Sequence, residues 1–246
     1  MLHLLFVFAV SADAPDVKQI VKTIDDRQRS DGDYKSLVYL EQKERDKPDV
    51  ASEALVYRRS SDQKFMILFS KPKDQQGKGY LRLDKNLWFF DPNVGRWERR
   101  TERERINGTD SRRTDFDESR LGEEYDAKLE GEEMLGKFKV SKLSLSVRNG
   151  VDVAYPIVKV WVDENNNILK RQEFAISQRL MRTLYYPRWN KQYSESKKAD
   201  VWSPAEIRIY DEVDKANSTI VVIKAVDLHP LEANIFTKSW LESKSR

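Results

Sequence analysis

Few residues in this chain could do covalent or metal chemistry. Cysteine is absent from all 246 residues, which excludes disulfides, thiolate nucleophiles, thiolate metal sites and lipid-modified cysteines. The two histidines are His3 and His229, and His229 directly precedes Pro230, in a context typical of a turn. With 41 acidic residues, neighbouring carboxylates such as Asp115 and Asp117 are expected without any catalytic meaning. The sequence therefore predicts a protein that is not an enzyme and has no metal or cofactor.

Anion-binding patterns are equally sparse. The glycines of Gly77-Lys78-Gly79 precede a predicted strand, so no helix N-terminus follows that could bind a phosphate. The net charge of +3, from 44 basic and 41 acidic residues, is too small to indicate nucleic-acid binding, which needs clustered basic residues. We therefore expect no nucleic-acid partner.

The amino-terminal segment has the pattern of a secretory signal peptide. Residues 1–12 form an apolar run that is too short to cross a bilayer and is followed by polar residues. Val10 and Ala12 are the small residues that precede a peptidase site, which predicts cleavage before Asp13. A buried amino-terminal strand is the alternative. No later run predicts a transmembrane helix, so we expect an exported protein with residues 13–246 as one domain.

The elements that must position any site follow from the hydrophobic periods. Apolar residues at helical spacing predict an amphipathic helix over residues 14–29, and a second short helix is predicted within residues 231–246, capping the sheet. From Lys35 onward the period is two, which predicts an antiparallel sheet of about a dozen strands. The predicted strands are 37–41, 53–58, 65–69, 80–83, 87–90, 96–99, 125–129, 137–147, 157–162, 168–176, 180–186, 205–210 and 219–226.

Several of these strands are apolar on both faces. Phe65, Ile67 and Phe69 share one face of a strand whose other face is also apolar, and Trp88 and Phe90 lie in an equally apolar strand. Such strands need cover on both sides, from the core, a helix, a second sheet or an apolar ligand. Core packing explains most aromatic residues of this kind. For these five residues we predict that they line or border an apolar ligand-binding cavity.

Residues 96–120 interrupt the strand pattern. They contain eight arginines and seven acidic residues, with Ile106, Phe116 and Leu121 as sparse apolar anchors in and just after the segment. A solvated loop of mixed charge is one interpretation. The other is a lid or partner-docking segment that its apolar anchors hold over the sheet, because long ordered loops are often functional.

Several short segments give the chain a family resemblance over residues 17–241. They are Gly79–Arg82, Leu87–Pro92, Arg103–Phe116, Ala154–Pro156, Val160–Asp163, Leu180–Thr183 and Phe236–Leu241. In these segments the chain resembles the outer-membrane lipoprotein-sorting proteins, the LolA-like family, and specifically an uncharacterised branch of it.

The resemblance implies an incomplete antiparallel β-barrel closed by an N-terminal helix and a lid segment. It implies an apolar cavity for acyl chains of lipids or lipoproteins in transport to the outer membrane, a periplasmic location and an inner-membrane lipid or lipoprotein transporter as partner. The chain departs from the family's carriers in its long segment of arginine and glutamate, and no residue matches the carriers' functional arginine. The alternative is a periplasmic sensor or scaffold that binds a protein segment and has a filled core.

Overall fold

The computed structural model of the protein describes residues 16–29, 32–83, 86–101, 105–112, 115, 119–195 and 197–245. The helices are α1 (Val17–Arg29), α2 (Leu121–Glu124) and α3 (Lys238–Lys244), with 3-10 turns at Ser60–Asp62, Ile106–Gly108 and Ala233–Phe236. The strands are β1 (Asp33–Lys43), β2 (Val50–Arg59), β3 (Lys64–Lys71), β4 (Gly79–Leu83), β5 (Asn86–Asp91), β6 (Arg96–Arg100), β7 (Tyr125–Leu135), β8 (Phe138–Val147), β9 (Ile157–Val162), β10 (Ile168–Phe174), β11 (Leu180–Ser194), β12 (Ala199–Asp211) and β13 (Ser218–Asp227). The predicted signal peptide lies outside the described residues. Within the ranges given above, no helix is long and apolar enough to cross a membrane.

The strands form one antiparallel sheet whose two edges are β6 and β7. Its order is β6-β5-β4-β3-β2-β1-β13-β12-β11-β10-β9-β8-β7, so each strand pairs with its neighbour in sequence except where β1 meets β13. Two meanders are thus joined through their first and last strands. This arrangement confirms the predicted fold class, a mainly β protein with flanking helices and an incomplete antiparallel barrel.

The connection between the two meanders runs from one edge of the sheet to the other. It leaves β6 at one edge and enters β7 at the opposite edge, and it comprises residues 101–124. Ile106 in this connection is fully buried in the same core cluster as Phe65 and Leu184. The connection therefore crosses the open side of the sheet, as the predicted lid segment requires.

All thirteen predicted strands are confirmed, and the differences lie at their ends. β11 and β12 extend well beyond the predicted 180–186 and 205–210. The pattern missed residues 187–194 because most of them are polar, and it missed residues 199–204 because Pro204 argues against a strand. The N-terminal helix occupies Val17–Arg29 of the predicted 14–29, and α3 lies within the predicted C-terminal segment.

The two faces of the sheet are covered by different elements. On the inner face, Ile20, Val21 and Ile24 of α1 share a core cluster with residues of β8 and β9 such as Leu143 and Val158. On the outer face, the segment that ends in α3 covers the first meander. Its residues Ile235, Phe236 and Leu241 pack with Met66, Leu81 and Phe90. The predicted cap at the C-terminus is therefore confirmed.

Candidate ligand-binding cavity

A cavity of about 500 Å³ lies between the inner face of the sheet and its cover. The cover consists of α1, α2 and the described parts of the connection, which contribute Ile24, Leu121 and Ser111 to the wall. Small-molecule sites in proteins have volumes of roughly 300–1,000 Å³. The cavity is therefore large enough for one small ligand.

One side of the cavity is an apolar floor built from six strands. Antiparallel register places its residues on one face, since Val38 lies opposite Ile223, Ile207 opposite Val221, and Leu184 opposite Ile209. The apolar floor consists of Val38, Val56, Phe65, Leu184, Ile207, Ile209, Val221 and Ile223. These side chains offer a surface that suits an apolar ligand and provides no polar contact.

The structure separates the five residues that the sequence predicts to line a cavity. Phe65 lies in the cavity wall. Ile67 and Phe69 share its face of β3 but are 2% and 1% exposed within the core cluster. Trp88 and Phe90 belong to the outer face. The Nζ of Lys238 in α3 lies 3.5 Å from the centre of the Trp88 ring, and Phe90 packs in the outer cluster beneath that helix.

The geometry of β5 explains why Trp88 and Phe90 lie on the outer face of the sheet and not in the cavity wall. Alternation places Leu87 and Phe89 on the inner face and Trp88 and Phe90 on the outer face. Because the strand is apolar at four successive positions, its sequence carries no information about which pair points inward. A ligand-binding role for the five residues stays a prediction.

Beside the apolar floor, β10 places two charged side chains on the inner face of the sheet. Arg171 lies between Val160 of β9 and Leu184 of β11, and Glu173 lies between Val158 and Arg182. The Arg171 Nε is 2.9 Å from a Glu173 carboxylate oxygen. An Arg182 nitrogen is 3.4 Å from the other Glu173 oxygen. Glu173 is therefore shared by two guanidinium groups.

The connection completes this charged cluster. Asp115 accepts a hydrogen bond of 2.8 Å from Arg182, and both side chains are largely buried. Burial acts to lower the pKa of Arg182, but the charges of Asp115 and Glu173 outweigh it and hold the pKa well above its usual value. For Arg171 burial likewise acts downward while Glu173 acts upward, and the pKa is raised. Both groups are therefore charged at every accessible pH.

Tyrosines complete the wall around the charges. Burial raises the pKa of Tyr186 to about 12, and burial also raises the pKa of Tyr125 to about 12. Burial raises the pKa of Tyr155 as well, against the opposing charge of Arg182. Their hydroxyls are thus neutral near pH 7 and able to donate hydrogen bonds. We call Asp115, Tyr155, Arg171, Glu173, Arg182 and Tyr186 the polar wall; four of them, Asp115, Tyr155, Arg171 and Tyr186, line the cavity.

Sequence reasoning missed the polar wall. In the run Lys170-Arg171-Gln172-Glu173 all four residues are polar, so the alternation of β10 does not distinguish an inner from an outer face. The available signal was that a strand between two apolar strands had polar residues on both faces. That pattern is unusual for an inner strand of a sheet.

Further arginines stand at the ends of the cavity. Arg58 and Arg82 flank Phe65 in one row across β2, β3 and β4, and both lie in the cavity wall. At another part of the wall, Arg27 of α1 donates a hydrogen bond of 3.1 Å to the Asn167 side chain. Its guanidinium lies 5.8 Å from the centre of the Trp202 ring. The wall thus has basic groups at several points around its apolar part.

The cover is attached by buried polar contacts. Asp25 of α1 accepts hydrogen bonds from the Leu121 and Gly122 amides, at 3.0 and 2.8 Å, and from the Ser119 hydroxyl. Further along the connection, the Asp110 amide donates to the Thr219 hydroxyl of β13 at 2.9 Å. These contacts join the connection both to α1 and to the sheet. The predicted anchor Phe116 lies outside the described residues, whereas Ile106 and Leu121 are buried as anchors should be.

Among the described residues, no group of three or more histidine, cysteine, aspartate or glutamate side chains is arranged to hold a metal ion.

The chain is similar to one family model and to several solved structures. A family model whose description reads "Uncharacterized protein" matches residues 61–243. A LolA superfamily protein from Nitrosomonas europaea has 19% sequence identity and a TM-score of 0.74, and the match covers 92% of this chain and 100% of that one. A DUF1329 family protein from Desulfovibrio piger has 18% identity and a TM-score of 0.79, covering 91% and 97% of the two chains.

A third solved structure agrees with these two. It is a putative outer membrane lipoprotein-sorting protein domain from Vibrio parahaemolyticus, with 18% identity, a TM-score of 0.77, and coverage of 92% of this chain and 98% of that one. No protein of the curated set matches. At these identities the structures establish a shared fold, which confirms at that level the LolA-like resemblance found in the sequence.

Proposed function

This chain belongs to the family of uncharacterised proteins whose model matches residues 61–243, and from that membership and the LolA-like fold we propose that it is a carrier of acyl chains. In this proposal the cavity holds an acyl chain of a lipid or lipoprotein on its way to the outer membrane. The carrier is exported to the periplasm by residues 1–12, works there as one domain over residues 13–246, and receives its cargo from an inner-membrane transporter.

The observation that carries the proposal is the cavity above the apolar floor. Protein interiors are packed at the density of organic crystals, so a space of about 500 Å³ beside an apolar floor is not part of ordinary core packing. An acyl chain matches both its volume and its apolar side. Burial stabilises such a ligand by about 0.8 kcal/mol for each methylene group.

A carrier must also release its cargo. The contacts that Asp25 makes to Leu121 and Gly122 are hydrogen bonds, each with a net worth of roughly 0.5–1.5 kcal/mol. These bonds join α1 to the connection, whereas apolar contacts hold α1 on β8 and β9. In this proposal the contact between α1 and the connection opens to release the cargo, while the apolar contacts with the sheet stay in place.

The scaffold alternative makes a different demand on the same fold. A domain that binds a protein segment on its surface works with a filled interior, and the presence of the cavity therefore favours the carrier. The exposed charges of the chain favour neither of the two.

The test is ligand uptake with a variant that fills the cavity. Ile223 belongs to the apolar floor, and Ile220, three residues earlier on β13, lies on the opposite face, where it pairs with Glu41 and Arg208. We expect Ile223→Trp to reduce uptake of oleate at least tenfold, because the indole occupies the volume of the chain. Ile220→Trp is the matched control and should bind as the unaltered protein does.

Native mass spectrometry of the mature protein from its own envelope identifies the cargo. A stoichiometric lipid or acylated peptide supports the carrier. A mass without ligand, together with no uptake of oleate by the unaltered protein, would refute the proposal and favour the scaffold.

A further inference from the structure

The charges on the inner face of β10 lie among apolar neighbours. Arg171 is flanked by Val160 and Leu184, which are both buried and apolar. Replacing a buried ion pair by apolar residues of similar volume is often neutral or stabilising. A charged pair retained between apolar neighbours therefore points to recognition of a ligand.

The Arg171 side chain is available to a ligand in the cavity. It lies in the cavity wall and is 27% exposed, in contrast to the 3% exposure of Glu173 and of Arg182 behind it. Its Nε is near Glu173 but makes no hydrogen bond of ordinary geometry with a described residue. The guanidinium is thus held in place by charge while its hydrogen-bonding capacity is incompletely used.

A tyrosine lies in the same wall. Tyr155 is 6% exposed, and the Arg182 guanidinium beside its buried hydroxyl acts against the effect of burial on its pKa. The guanidinium groups of Arg112 and Arg182 lie 5.5 and 5.7 Å from the centre of its ring.

The charged cluster has a net positive charge. The polar wall and the adjoining Arg112 contain three guanidinium groups, Arg112, Arg171 and Arg182, and two carboxylates, Asp115 and Glu173. An anionic group beside Arg171 would receive a charge-assisted hydrogen bond from its guanidinium.

We propose that the polar wall binds the anionic head group, a carboxylate or a phosphate, of a single-chain amphiphile whose tail lies on the apolar floor. This inference rests on the proposed function and narrows its cargo to fatty acids and lysophospholipids. The acyl chains of a lipoprotein end in ester or amide groups, which carry no charge. The volume of about 500 Å³ also suits one chain rather than three.

The dimensions of the site agree with this assignment. Arg171 is on β10 and Phe65 is on β3, six strands apart in the order of the sheet. Neighbouring strands lie about 4.8 Å apart, so roughly 29 Å of curved sheet separates the polar wall from the far end of the apolar floor. A head group at Arg171 therefore leaves the tail the full width of the floor.

The first test uses the unaltered full-length mature protein and three ligands with the same oleyl chain. They are oleate, oleoyl lysophosphatidic acid and oleyl alcohol, which differ in head group alone. Binding is followed by tryptophan fluorescence, because Trp189 and Trp202 lie in the cavity wall. We expect the anionic ligands to bind about tenfold to a hundredfold more tightly than the alcohol, the range for a hydrogen bond to a charged group.

Each outcome of this ligand series either identifies the head group or contradicts a proposal. Preference for oleate assigns a carboxylate, and preference for the lysophospholipid assigns a phosphate. Equal affinity for the anions and the alcohol would overturn the inference while leaving the acyl carrier intact. Failure of all three ligands to bind would refute the proposed function itself.

The second test locates the head group. Arg171→Met should remove the preference for the anions and leave the affinity for oleyl alcohol unchanged, and Arg171→Lys should restore part of it. Arg148→Met is the matched control, because Arg148 is an exposed arginine that pairs with Asp126 away from the cavity. A larger loss of the preference in Arg58→Met than in Arg171→Met would place the head at the other end and overturn the assignment. The ligand series decides the inference even if Arg171→Met does not fold.

Discussion

The two faces of the sheet in the first meander have similar compositions, but one is tightly covered and the other borders a cavity. On the outer face, Leu241 of α3 is fully buried, and a Cβ added to Gly79 would lie 2.7 Å from both the Leu241 Cδ1 and the Ile67 carbonyl oxygen. No spare volume remains there. On the inner face, Phe65 borders a cavity of about 500 Å³.

The difference follows from the element that covers each face. The C-terminal segment presents apolar side chains that interdigitate with the outer face, including Ile235, Phe236 and Leu241. The cover of the inner face also has apolar residues that pack on the sheet, such as Val21 and Ile106, but it consists of several segments that are joined by polar contacts at Asp25 and Asp110. An apolar sheet face therefore indicates that a cover exists, and the fit of that cover decides whether the space beneath is filled.

The largest expected effect is on the filled face. Leu241→Ala should lower the free energy of unfolding by about 2–5 kcal/mol, because the structure around a fully buried leucine relaxes only in part. Uptake of oleate by the folded variant should not change, since the cavity is on the other side of the sheet. Urea unfolding followed by circular dichroism measures the first quantity, and ligand titration measures the second.

Leu241→Met serves as its control. A substitution that conserves volume should cost less than about 1.5 kcal/mol. If Leu241→Ala abolished uptake while the protein remained folded, the two faces would not be independent and the comparison would fail.

A smaller expected effect is a difference between the two faces in how stability depends on pH. On the outer side, Asp33 accepts hydrogen bonds of 2.9 and 2.8 Å from Arg59, which hold the pKa of Asp33 below its usual value. The stability this pair contributes is complete above the unfolded-state pKa, about 3.9 for aspartate, and is lost as the pH falls through the lowered value. On the inner side, burial raises the pKa of Asp110 despite the nearby charge of Arg105. The contribution of Asp110 to stability therefore depends on pH in the opposite direction. It falls as the pH rises from about 3.9, the unfolded-state pKa, through the raised pKa of the folded state.

The measurement is urea unfolding of Asp33→Asn and Asp110→Asn from pH 3 to pH 7, each compared with the unaltered protein. The stability deficit of Asp33→Asn should shrink as the pH falls. The deficit of Asp110→Asn should grow over the same interval. Parallel trends for the two variants would show that the carboxylates do not differ as their surroundings require.

Much of the fold could be predicted from the sequence because it depends on local alternation. β9, for example, occupies the residues that its pattern predicts, and the turn before Ile168 separates it from β10. The crossing of residues 101–124 between the sheet edges depends on the pairing of β1 with β13, which lie far apart in the sequence and which no local pattern predicts. The family resemblance supplied the remaining step, from a sheet to an incomplete barrel.

The site could be predicted only in part. Phe65 and Trp88 have the same kind of strand environment in the sequence, and their opposite faces are decided by contacts with segments more than a hundred residues away, such as α3. The polar wall depends on Arg171, Arg182 and Asp115, which come from three separate elements and meet only in the folded chain. Pairwise proximity of this kind is not encoded in the period of any one strand.

The smallest expected effect tests the residue on which sequence and structure diverge most. Trp88→Leu keeps an apolar side chain on the outer face but removes the ring that faces the Lys238 ammonium at 3.5 Å. The expected loss of stability is about 0.5–1 kcal/mol, as for a cation–π contact near the surface, with no change in oleate uptake. Lys238→Met should cost a similar amount, and the double variant should cost less than the two together, because both substitutions remove the same contact. Reduced uptake by Trp88→Leu would place Trp88 in the binding machinery, and the division between a filled outer face and a ligand-binding inner face would then be wrong.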